Sequence, residues 1–382
     1  MLGDEENLSM EFNEDLMNIT NEICYLGRHR TTPNFIINGY LFPSLACVTV
    51  VINCTILVVF WRAKFFTPHH ALLAALAIVD MLTVFIPSPL FMYVFGCGFY
   101  MIFPSCKLCQ AYDITTMEIP IILHSISMWL TLGLAIQRHV CVSNPFKAKY
   151  ICTMKNTIIY MILMSCCFFA FLLPFTFRLK YEEVLVNLDM DGFLAHPACR
   201  KSPQNWLNDN KNLFYGMYGL LRVLVIKLLP CVILLILEIK LIRNLKMASL
   251  VRIHTNKVHQ RKDVPMRLSA QTAWIVGIFL VTEIPVTVGV IHEVIAWWFK
   301  VKFMKDDVKF LLSDILNFIL LFGCMANFVI YIFLSEKFRR YIIKLVTFQS
   351  SRKRQYRQYK HCASLRNLPS TRTELEELSV LK

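Results

Sequence analysis

Ionisable side chains sit inside or at the margins of long uncharged runs of this sequence: Asp80, Glu118, His124, Arg138, Arg222, Lys227, Glu238, Glu283, Glu293 and Asp314. Charge at membrane depth is costly, so each calls for a partner or a task. They divide into two layers. In the first, Asp80, Ser127 and Asn327, joined by Asn53, offer an acid, a hydroxyl and amides. That donor set suits a small hydrated or cation-holding cluster, with an allosteric sodium ion as its one candidate cofactor; hydrogen bonding between helices is its plainer use. In the second, Glu118, Glu283, Glu293 and Asp314 stand with Trp297, Trp298, His292, Tyr112 and His124. Carboxylates at low dielectric suit a guanidinium or an amidated peptide terminus, and aromatic faces stack on cations and rings. Pairing of these acids with Arg222 or Lys227 is the competing use, and Glu283, two residues before Pro285, is the leading ligand candidate. His-x-x-x-His and Gly-x-Ser-x-Gly arrangements are absent, which argues against a membrane enzyme.

The elements that must position these groups follow from composition. Of 382 residues, 56% are hydrophobic and only 17% charged, with a net charge of +14. A disordered chain and an ordinary soluble enzyme are both excluded by that balance. A spanning helix needs about 20 apolar residues, and seven such stretches are expected near 36–62, 70–95, 108–141, 153–177, 212–246, 266–298 and 308–334. The fold class is therefore an all-α seven-helix membrane bundle. Basic residues gather after the first, third, fifth and seventh stretches, while the alternate loops are mixed or acidic, which puts the N-terminus outside and the C-terminus in the cytoplasm. The +14 is thus a vector across a membrane rather than a nucleic-acid footprint. Residues 1–34 form a polar outer segment with no signal-peptide pattern and sequons at Asn7 and Asn18; 35–334 hold the spans; 335–348 form a juxtamembrane helix; 349–382 form a cytoplasmic tail. Phosphorylation of Ser364, Ser370, Thr371, Thr373 or Ser379 in that tail would offer negative charge to a basic partner. No internal repeat is visible, which disfavours a transporter.

Three features suggest a switch. Gln137-Arg138-His139 closes the third span, with Pro145 seven residues after the Arg. The sixth span carries Phe279 through Glu283 to Pro285, and proline there removes a backbone hydrogen bond and kinks the helix into a lever. The seventh ends Asn327-Phe-Val-Ile-Tyr331, and beyond it Phe338, Tyr341, Ile342 and Leu345 fall on one helical face opposite cations, as in a helix lying on the inner leaflet.

These residues together carry a resemblance. Asn53, Leu76-Ala-Ile-Val-Asp80, Arg138 with Pro145, Pro230, Phe279 with Pro285, and Asn327 with Tyr331 resemble the pattern of rhodopsin-like G-protein-coupled receptors across about residues 36–348. Trp129 to Arg138, with Gln137 in place of the usual acid, is similar to the invertebrate sex-peptide/myoinhibitory-peptide and FMRFamide-like receptors, as are the Pro120 and His124 spacing, Thr282-Glu283-Ile-Pro285 and Asn327-Phe-Val-Ile-Tyr331. The resemblance implies a neuropeptide receptor that signals to a heterotrimeric G protein of the inhibitory class through an outward swing of helix six, with arrestin reading the phosphorylated tail. It implies one disulfide between the top of the third span and the second outer loop, assigned to Cys109 and Cys199 with Cys106 as the alternative. Pro120 stands at the aminergic counter-ion position and Leu321 at the retinal lysine position, so neither ligand is expected. Gln137 removes the local ion pair of Arg138, so a constitutively active or decoy receptor stays open, and Glu238 is expected to pair with Arg138 instead.

Overall fold

Each uncharged run folds as a helix, because a backbone in lipid must satisfy its own N–H and C=O groups. The computed structural model describes residues 24, 36–62, 64, 67–97, 104–187, 195–207, 211–255, 263–299, 306–334 and 336–346. The helices are α1 (Ile37–Arg62), α2 (Pro68–Gly96), α3 (Cys106–Ser143), α4 (Met154–Thr176), α5 (Leu213–Asn244), α6 (Asp263–Phe299), α7 (Asp306–Leu334) and α8 (Glu336–Val346). Among the described residues, α1 to α5 and the Thr272–Ala296 stretch of α6 are long and apolar enough to cross a membrane, and α7 adds the shorter apolar stretch Asp314–Ile330. The seven-helix bundle expected from the sequence is the architecture observed.

Helix α3 is the axle. In its apolar window 67% of residues are buried against 11% for α4, which places α3 inside the bundle and α4 on its rim. It packs against α2, α4, α5 and α6, while α1 packs on α2 and α5 on α6. Leu321 of α7 is buried with Phe42 and Ala46 of α1 and Val84 of α2. Outward-facing Val51, Ile162 and Val281 are exposed at 65%, 59% and 72%, the apolar coat that lipid covers.

Proline shapes the helices locally. π-helical turns at Ile37–Leu41, Ile114–Glu118 and Val223–Leu228 each end two residues before a proline, at Pro43, Pro120 and Pro230. Proline supplies no N–H to the carbonyl four residues back and crowds it, and a widened turn re-routes the freed group. One extra residue rotates the facing of everything upstream by roughly 100°. Glu118 and Lys227 lie in two of these turns.

The sequence reading did not anticipate a hairpin between α4 and α5. Strand β1 (Leu179–Asn187) pairs antiparallel with β2 (Ala195–Pro203), with Glu182 opposite Arg200. Hydrogen bonds from Lys180 first and Arg200 second hold the Glu182 carboxyl below its ordinary range. The described chain divides at Ile330, and the unit from Tyr331 onward contains α8, where Arg339 Nη1 donates to the carbonyls of Ile332 and Phe333.

Candidate functional site

Two disulfides meet at the start of α3. Cys106 bonds Cys199 and Cys109 bonds Cys24, so the expected Cys109–Cys199 bridge is corrected: the cysteine nearer the start of α3 takes the hairpin, and Cys109, one turn on, takes the N-terminal segment. Cys24 N also donates to the Cys199 carbonyl at 2.8 Å, and Cys24, Cys109 and Cys199 are buried together with Val94. The hairpin has a second anchor. Asp113 accepts from Tyr181 Oη at 2.9 Å and lies 2.7 Å from Lys201 Nζ. Burial, and then the Asp113 charge, push the Tyr181 phenol above its ordinary range.

Below this knot the acids separate into neutralised and open groups. Glu118 is 6% exposed and pairs with Arg178 at 2.5 Å. Glu283 is fully buried at 0% and receives a hydrogen bond from Lys227 Nζ at 3.0 Å. His124 Nε2 stands 2.8 Å from the other Glu283 oxygen, close but not aligned as a hydrogen bond. Thus the sequence expectation of two free acids for a cationic ligand gives way at Glu118 and Glu283 to internal ion pairs. Sequence reasoning offered Lys227 as the competing partner but missed Arg178, which the α4 terminus delivers. Asp314 differs: Oδ1 accepts from Asn38 Nδ2 at 3.2 Å, and Oδ2 is buried without a hydrogen-bond partner. Among the described residues no cation pairs with it. The side chains of Glu293, Trp297, Asn327 and Tyr331 lie outside the described set, as do Asn7 and Asn18.

Deeper, Ser127 Oγ donates to Asp80 Oδ1 at 2.7 Å. Asn53 is fully buried, but its amide donates to the Thr49 carbonyl at 3.0 Å and its Oδ1 has no partner, so α1 does not reach the Asp80–Ser127 pair through it. A cavity of about 20 Å3 touches Asp80, His124, Ser127, Phe279 and Glu283, room for one water or small ion. The carboxylate and hydroxyl fit a sodium ion, and Asp80 and Ser127 would hold it; its chemistry would be charge balance between α2 and α3.

At the end of α3 far from the disulfides, Arg138 is 8% exposed and its Nε donates to His69 Nδ1 at 3.1 Å. Thr67 and Pro68 open α2 and set His69 in its first turn, facing α3. Gln137, which replaces the usual acid, turns the other way and donates to Thr157 Oγ1 of α4 at 2.8 Å. Glu238, 8% exposed, keeps Oε2 without a hydrogen-bond partner. The expected Arg138–Glu238 pair is therefore not made in this conformation, and His69, passed over in the sequence, holds the arginine instead. Pro285 lies inside α6 two residues after Glu283, the residue that faces His124, so the proline and the buried ion pair share one segment of helix.

Seven apolar helices, a buried arginine closing α3 and a proline inside α6 are the features of a seven-transmembrane receptor. The chain matches the family described as serpentine type 7TM GPCR chemoreceptor Srw over residues 40–349, and it belongs to the G-protein-coupled receptors. It is similar to the sex peptide receptor of Drosophila melanogaster, with 31% identity over 313 residues, 79% of this chain and 70% of the relative. Sex peptide receptor-related protein 2 of Caenorhabditis elegans is 25% identical over 316 residues, covering 80% and 70%. The FMRFamide receptor of D. melanogaster is 23% identical over 237 residues, covering 60% and 39%. The chain is a multi-pass membrane receptor, and its family is not a catalytic one.

Proposed function

We propose that this receptor binds an extracellular amidated neuropeptide at the plasma membrane, with its N-terminus outside and glycosylated at Asn7 and Asn18. Binding is passed to a heterotrimeric G protein of the inhibitory class by an outward swing of α6 about Pro285. The relatives named for peptide ligands support the ligand class. The observation that carries the reading is Asp314: a half-buried carboxylate near the start of α7 whose buried Oδ2 lacks a donor is a ready acceptor for a peptide's cation or terminal amide. Glu293 and Trp297, on the outer half of α6, complete the contact set. Glu283, His124 and Lys227 form its charged floor, and Glu118 braces the α4 side through Arg178.

The switch set is Arg138, Glu238, Phe279, Pro285, Asn327 and Tyr331. Phe279 and Glu283 line the same internal cavity as Asp80, which supports coupling between the floor and the Asp80–Ser127 pair. On activation α6 moves from α3 and α5, and Arg138 leaves His69. The tail 349–382 would recruit arrestin once phosphorylated. An orphaned buried acceptor costs about 1–3 kcal/mol, so Asp314→Asn is expected to raise the half-maximal concentration of an activating amidated peptide by about tenfold or more with surface expression intact. An unchanged dose–response curve would remove Asp314 from the site.

A further inference from the structure

The outer half of the bundle holds a cation that makes no salt bridge among the described residues. Glu118 is taken by Arg178 and Asp113 by Lys201. Arg222 is left over: it feels the Glu118 charge but makes no salt bridge among the described residues. Its place is deep, nine residues into α5 from Leu213, or about 13 Å at the helical rise. Both guanidinium groups address one ring, with Arg178 Cζ 3.6 Å and Arg222 Cζ 4.9 Å from the Phe175 centroid. Phe175 in turn stacks on Tyr218 at 5.5 Å, and Tyr218 on Phe214 at 5.3 Å. Aromatic faces soften the desolvation of a cation but do not balance its charge. Two guanidinium groups sharing one carboxylate at low dielectric repel each other, and an anion placed beside them relieves that repulsion. Arg222 remains partly exposed, so the position is reachable.

We propose that Arg222, with Arg178 beside it, is the docking point for a carboxylate of the ligand, an acidic side chain in an otherwise amidated peptide. The inference deepens the peptide reading and rests on it for the source of the carboxylate. It also gives the site two poles: Asp314, an open acid on α7, and Arg222, an open cation on α5. A ligand carrying both charges satisfies both, whereas a purely cationic one leaves Arg222 unanswered.

Two synthetic libraries of amidated octapeptides ending in Trp or Phe, identical except for Glu in one and Gln in the other, test this on cells expressing the full chain. The Glu library is expected to activate at about tenfold lower concentration. Arg222→Gln, which removes the positive charge and leaves a shorter side chain with an amide donor, is expected to erase that difference while the Gln library keeps its potency. Equal potency of the libraries on the wild type, or an undiminished difference in the variant, would overturn the proposal. A second arm needs no peptide: added acetate, against acetamide with equal sodium chloride, is expected to raise the unfolding temperature of the purified wild-type receptor and not of Arg222→Gln. If neither library signals while acetate still discriminates, the anion site stands and the peptide reading falls. If acetate does not discriminate and neither library signals, both fall.

Discussion

Arginine 138 shows how a single side chain can be legible in type and misassigned in partner. The sequence marks it as the switch because a lone cation ends a long uncharged helix, and Glu238 is the acid at hand. Packing decides otherwise. The α2 turn opened by Pro68 brings a neutral acceptor, His69 Nδ1, within 3.1 Å, while Gln137 is occupied by Thr157. A hydrogen bond to a charged group contributes about 1.5–3 kcal/mol, so His69→Ala is expected to shift the balance toward the active form by about tenfold and raise basal signalling. Asn places an acceptor oxygen where Nδ1 stands, so His69→Asn should return basal signalling toward the wild-type level, a rescue that a purely structural role would not give. Glu238→Gln is expected to change basal output far less than His69→Ala. A larger effect from Glu238→Gln would restore the expectation drawn from the sequence. Ligand residues divide in the same way: the list of acids was readable from the sequence, but which were already neutralised was not, because Arg178 lies in the bend between α4 and β1, remote from Glu118 in sequence, and meets it only in three dimensions.

Among the elements, the helices were the most legible part, since their length and lack of charge are local properties. The hairpin was not, because strands β1 and β2 are held by contacts remote in sequence, Cys106 to Cys199 and Asp113 to Tyr181 and Lys201. The cysteine pairing depends on which side of the α3 end faces the hairpin, and spacing alone left Cys106 and Cys109 both available. The π-turns holding Glu118 and Lys227 precede Pro120 and Pro230, but Glu283 stands before Pro285 in regular α-helix, so a following proline alone does not mark a widened turn. The disulfides span 85 and 93 residues, worth about 4.6 kcal/mol each by loop entropy. Digestion of the purified, non-reduced receptor is expected to yield linked peptides Cys24–Cys109 and Cys106–Cys199, and a Cys109–Cys199 peptide would contradict the pairing. Cys199→Ser should lower surface expression and ligand response more than Cys24→Ser, because it frees the hairpin while the latter frees only the N-terminal segment.

For the whole molecule, the net charge of +14 becomes a direction. Basic loops on one side and mixed or acidic ones on the other are expected to orient the bundle, because anionic lipid at the inner leaflet favours the basic side by about 1 kcal/mol per exposed Lys or Arg. An epitope placed before Asn7 is expected to be stained on intact cells and one after Lys382 only after permeabilisation. The reverse pattern would invert every assignment of outer and inner made above. In the proposed function a peptide outside and a G protein inside are the two ends of this orientation, and α6 with its proline joins them. The most direct test of that account is G-protein dissociation in cells expressing this chain, read across a panel of amidated neuropeptides and G-protein classes. At least one peptide is expected to drive concentration-dependent dissociation of an inhibitory G protein, absent from untransfected cells and weakened about tenfold or more by Asp314→Asn. A receptor that reaches the surface and answers no peptide with any G protein would contradict it.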